Sequence, residues 1–101
     1  MHISKSFNDD GSVEIYFVGV ELWDEFDIIL ELLQNENKCK ILSNKEMIYI
    51  RKAELSWGNI DFELIQDDML GNYISSHNPL DFDNLEKIAN RVMESIIERQ
   101  T

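Results

Sequence analysis

The chain has one proline, one cysteine and four glycines in 101 residues, and each scarcity removes a class of protein. A single cysteine, Cys39, rules out an intramolecular disulfide and matches a reducing compartment. Four scattered glycines form neither the G-x-G-x-x-G nor the G-x-x-x-x-G-K-[ST] phosphate cradle, so no dinucleotide or nucleotide cofactor is expected. No Pro/Gly/Ser-rich linker, internal repeat or low-complexity tract divides the sequence. No apolar run approaches the length of a membrane span, and the opening "MHISKSFNDDGS" lacks a basic-then-apolar leader pattern. A cytoplasmic protein with no membrane partner is the expectation.

Positive charge is also scarce. Nine lysines and arginines face twenty aspartates and glutamates, a net charge of −11. The imbalance is even: residues 1–50 hold ten acids and four bases, and residues 51–101 hold ten acids and five bases. The negative charge therefore belongs to the whole surface and not to a tail. Such a field repels nucleic acid, and no basic cluster exceeds Arg51-Lys52. It speeds encounter with cationic partners. Hydrophobic residues make up 44%, enough for one ordinary core, so residues 1–101 are expected to form one domain.

What is present reads as α+β. Residues 2–7 and 13–19 form two strands around the Asp-Gly turn of "NDDGS". In the second strand Val13, Ile15 and Phe17 alternate with Glu14 and Tyr16. A first helix is expected from Glu21 to Asn35, with Leu22, Trp23, Phe26, Ile29, Leu30 and Leu33 on one face and carboxylates in its first turns. "CKILSNKEMIYIRK" reads as strands 39–43 and 46–52 around a Ser-Asn-Lys turn. Strands 59–66 and 70–76 follow, making a hairpin with "QDDMLG" at its tip. The second helix carries a stripe from Phe82 to Ile97, and two starts compete: Asn78 with Pro79 at the first position, or Asp83 with Glu86 as a capping box. A stripe that begins near Phe82 favours the later start, with 78–81 as a turn. The order β-β-α-β-β-β-β-α predicts a mostly antiparallel sheet of five to six strands with both helices on one face. The other face would carry Glu14, Asp61 and Glu63.

The side chains that support catalysis are thinly placed. Cys39 sits between Lys38 and Lys40, which can depress a thiol pKa, but His2 and His77 have no spacing that ties them to it. A small apolar cysteine at a strand start is the simpler expectation. Asp67 and Asp68 are adjacent, so their side chains diverge, and "DDMLGN" lacks the alternating ligands of a calcium loop. No metal site and no enzyme activity are expected. Acids and aromatics remain. Asp61, Glu63, Asp67 and Asp68 form a candidate row for receiving arginine and lysine, and Trp57 and Tyr73 are candidate anchors beside it.

The segment "GNIDFELIQDDMLGNYISS", followed by an amphipathic C-terminal helix, resembles small acidic immunity proteins that bacteria carry beside polymorphic or contact-dependent growth-inhibition toxins. The resemblance is one of layout along the whole chain. It implies a non-catalytic inhibitor that binds a basic, nuclease-like toxin domain. The alternative is a self-associating structural or adaptor domain whose sheet edge or open face makes a homodimer.

Overall fold

A computed structural model describes residues 1–100. Six strands make one wholly antiparallel sheet: β1 (His2–Phe7), β2 (Val13–Val18), β3 (Lys40–Glu46), β4 (Ile50–Trp57), β5 (Ile60–Asp67) and β6 (Gly71–Ser76). Helix α1 (Glu25–Asn35) follows β2, and α2 (Phe82–Arg99) ends the chain. The spatial order is β1-β2-β6-β5-β4-β3. Strands β3 to β6 are a meander, and β6 closes against β2. The fold is therefore α+β, with the element order expected from the sequence.

One face of the sheet is dry. Ile15 and Phe17 of β2, Ile74 of β6, Leu64 of β5, and Ala53 and Leu55 of β4 are all buried, and Phe26, Ile29 and Leu33 of α1 and Leu85, Ile88 and Val92 of α2 cover them. Fully burying each such side chain is worth about 1.5–3 kcal/mol, which makes this layer the main source of stability. Edge strand β1 is pinned to α2 by the Lys5–Glu86 ion pair at 2.8 Å and by Phe7 against Phe82, with ring centroids 4.8 Å apart. Among the described residues no helix is long and apolar enough to cross a membrane.

The connection from β2 to α1 crosses the sheet, and a row of polar side chains holds it. Asn72, Gln66 and Arg51 are register partners on β6, β5 and β4, and all three are buried. Asn72 Nδ2 donates to the carbonyls of Val20 and Leu22, Gln66 Nε2 to that of Glu21, and Arg51 Nη1 to that of Trp23. Four successive carbonyls are thereby taken by the sheet. This explains why α1 begins at Glu25 and not at Glu21: the donors hold residues 20–23 along the sheet, and the first turn bond, Glu25 N–H to the Leu22 carbonyl at 3.1 Å, comes only at the end of that stretch.

Two further boundaries differ from expectation. The polar Ser43-Asn44-Lys45 lies inside β3, and the hairpin turns instead at Met47-Ile48-Tyr49. This placement lets Ala53 and Leu55 face the core and Arg51 reach Asp27, and those tertiary gains outweigh local turn preference. At the second helix α2 itself begins at Phe82, where the stripe does, with 78–81 as a turn before it, but the expected Asp83 cap is not used. Asn78 Oδ1 accepts from Leu80 N–H at 3.0 Å and opens a 3-10 turn, Pro79–Asp81, that runs straight into α2. Asp83 lies within the first turn of α2 and caps nothing.

Candidate functional site

Among the described residues no helix lies over the sheet's second face. Register places two side-chain rows across it. One runs Tyr16, Tyr73, Ile65, Lys52 over β2, β6, β5 and β4. The next runs Glu14, Ser75, Glu63, Glu54 over the same strands. An aromatic stripe thus lies beside an acidic one.

Tyr16 and Tyr73 stack at 4.8 Å between ring centroids, tilted by 31°. Tyr16 Oη donates to Glu14 Oε1 at 3.1 Å. Burial, reinforced by the Glu14 carboxylate, pushes the Tyr16 hydroxyl up to about 12. Burial raises Tyr73 as well, with Glu14 and Asp67 adding to it. Both phenols stay protonated donors in a negative field.

Glu63 and Glu54 are directly opposite, an unfavourable pairing of like charge. Lys52 offsets it: its Nζ forms an ion pair with Glu63 Oε2 at 2.6 Å. The exposed His77 approaches the other oxygen at 3.8 Å. With Leu42 these groups line a shallow groove of about 270 Å³.

The six candidate residues from the sequence do not converge on one spot. Asp61, Glu63 and Asp67 share the open side of β5, and Tyr73 stands beside them on β6. Asp67 is spent on its own turn, accepting from the Met69 and Leu70 amides at 2.8 and 3.2 Å. Asp68 is exposed at the tip, and its amide bonds the Tyr49 carbonyl at 3.2 Å, tying the two hairpin tips together. The adjacent pair therefore divides its work between turn and surface. Trp57 lies on the helix side of the sheet, partly buried against the core, at the opposite end from Asp67. That is about 23 Å along β5 at the usual strand rise. Glu54, like Tyr16, belongs to the open face without being among the candidate residues expected from the sequence. Its signal was the alternation of Lys52 and Glu54 with Ala53 and Leu55, hidden by the misplaced turn.

Cys39 is buried, and burial pushes its thiol up to about 11, away from the thiolate. The flanking lysines project outward and do not counter this. Among the described residues no three histidine, cysteine, aspartate or glutamate side chains are placed to hold a metal ion.

No protein-family model matches the chain, and neither does any curated protein or solved structure.

Proposed function

We propose that this chain is a non-catalytic binding protein, immunity- or antitoxin-like, that neutralises a basic toxin domain, a nuclease in the leading reading, by covering it. The observation that carries this is the uncovered sheet face, where Glu14, Glu63 and Glu54 lie in register beside the stacked Tyr16 and Tyr73. Carboxylates at such a surface recognise arginine and lysine with charge-assisted geometry, and the partly exposed Tyr16 ring, backed by the buried Tyr73, offers area with little entropy to lose. A nuclease site must hold phosphate and is accordingly basic, so an acidic face can occupy it. The net charge of −11 supports rapid encounter.

The test is co-purification with the product of the adjacent gene, followed by titration of that product's activity. Inhibition complete at one equivalent is the expected result. Charge reversal at Asp67 and Asp68 should slow association and flatten its salt dependence, while Glu63→Lys should act more strongly because Glu63 lies within the acidic row. A neighbour that neither binds nor is inhibited would count decisively against the toxin reading.

A further inference from the structure

One end of the sheet carries an apolar surface that the core does not use. Met47, Ile48 and Tyr49 form the β3–β4 tip, and Met69 and Leu70 the β5–β6 tip. Ile48 is 85% exposed and Met69 92%. The Asp68–Tyr49 backbone bond and the Ile50–Asp67 pairing hold the two tips side by side, so the five side chains make one patch. Exposed apolar side chains clustered in one place commonly mark interaction sites.

The choice of residues is as informative as their exposure. Hairpin turns favour Gly, Asn and Asp, which supply left-handed backbone or local hydrogen bonds. Here Met-Ile-Tyr fills the turn, while Ser43-Asn44-Lys45 is held inside an edge strand. Stability gains nothing from Ile48 in water. Register explains where the turn falls, but nothing in the core requires apolar side chains in it, and choices of residue that bring no folding return concentrate at functional positions. Methionine is also the side chain best able to adapt to an irregular surface.

Charge selects the occupant. Asp68 stands on the patch itself, Glu46 adjoins Met47 while facing Arg51 Nε at 3.4 Å, and Glu21 lies against Gly71 at the base of the second tip. A twofold contact between copies would set these carboxylates against their own images in a chain of net charge −11. An anionic lipid surface would repel them. A protein with an apolar hollow rimmed by lysine and arginine complements both features, with anchors at the centre and charge at the edge.

We infer that the paired hairpin tips are the anchor that enters an apolar hollow on a basic protein partner, with the acidic sheet face as the wider contact. The inference rests on the reading that the partner is basic, and it adds the place where binding energy is concentrated.

Two synthetic peptides of equal positive charge separate the contributions: an amphipathic leucine/lysine helix, and the same peptide with glutamine in place of leucine. Amide shifts of the full chain report where each binds. The leucine/lysine peptide should move residues 47–50 and 68–70 and bind at least tenfold more tightly than its glutamine analogue. Its affinity should fall tenfold or more in the double variant Ile48→Ser/Met69→Ser, and about threefold in Ile48→Thr alone, a milder change kept in case the double variant folds poorly. Equal affinity of the two peptides, no binding by either, or shifts confined to Tyr16, Glu63 and Tyr73 that survive the substitutions would overturn the inference. So would self-association in sedimentation, or binding to zwitterionic vesicles, that the double variant abolishes. Failure with the adjacent gene product removes the toxin reading alone, since the peptide measurement does not involve it.

Discussion

Gln66 Nε2 donates to the carbonyl of Glu21 at 2.7 Å, across 45 residues of sequence. With Asn72 on one side and Arg51 on the other it forms a buried ladder of donors that binds the β2–α1 connection to the middle of the sheet. The start of α1 and the path of the chain from β2 to it depend on this row. Gln66→Leu keeps much of the volume and leaves the Glu21 carbonyl without its donor. Urea unfolding should show a loss of about 1–3 kcal/mol. A change within experimental error would mean that packing alone holds the connection.

The end of the same row sets behaviour in acid. Arg51 grips Asp27 with two hydrogen bonds, at 2.7 and 3.0 Å, while its guanidinium lies 4.5 Å from the centre of the Phe26 ring. Those hydrogen bonds hold the Asp27 carboxyl below its ordinary value, with burial opposing them and the Arg51 charge adding to them. A depressed folded-state pKa stabilises the fold fully above the unfolded carboxylate value of about 3.9, and the gain is lost as pH falls through the folded value. Melting temperature should therefore drop below about pH 4, and Asp27→Asn should flatten part of that slope. Asp27 is 62% exposed at its side chain, so solvent screening keeps the effect small.

Alkali should act through the open face. Tyr16 is raised from 10.0 to about 12, by burial first and Glu14 second. For an acid raised on folding, the stabilisation is complete below the unfolded value and disappears as pH climbs through the folded one. Stability should fall between pH 10 and about 12. Tyrosinate absorbance should show a late step that Tyr16→Phe removes. Glu14→Gln should bring that step earlier without returning it to 10.0, because burial remains. A single unshifted tyrosine transition would contradict the stacked, desolvated pair.

Two glycines separate backbone strain from crowding. Gly11 and Gly71 have φ of +89° and +87°, a region that side chains resist. A Cβ on Gly11 would meet nothing within 4 Å, whereas one on Gly71 would lie 2.8 Å from Glu21 Cγ. Gly11→Ala should cost the conformational term alone, about 1–2 kcal/mol. Gly71→Ala should cost more and should also disturb the β5–β6 tip, visible as amide shifts at residues 68–70. Equal losses at the two sites would show that Glu21 yields freely.

Much of the layout was legible because burial writes a period into the chain. Ile15 and Phe17, Phe62 and Leu64, and the stripe from Leu85 to Ile96 each declared their element and their inward face. Where the reading slipped, a local rule met a tertiary competitor. Leu22 and Trp23 fit the helical stripe, but the sheet's amides and guanidinium bond the carbonyls of residues 20–23 and hold that stretch across the sheet, so the first turn bond is Glu25 N–H to the Leu22 carbonyl. Ser43-Asn44-Lys45 has the chemistry of a turn, but the register that buries Ala53 and Leu55 moved the turn onwards.

For the candidate surface the division is similar. The amino-acid sequence by itself determined the α+β class, the element order and a uniformly negative surface, since these follow from periodicity and from counting charges. Only the tertiary structure decided that Glu14, Glu63 and Glu54 stand in one row, that Trp57 belongs to the other side and the other end, and that two apolar tips meet. Such relations arise from strand order and register, which depend on pairings between residues far apart in the chain. No local pattern encodes them.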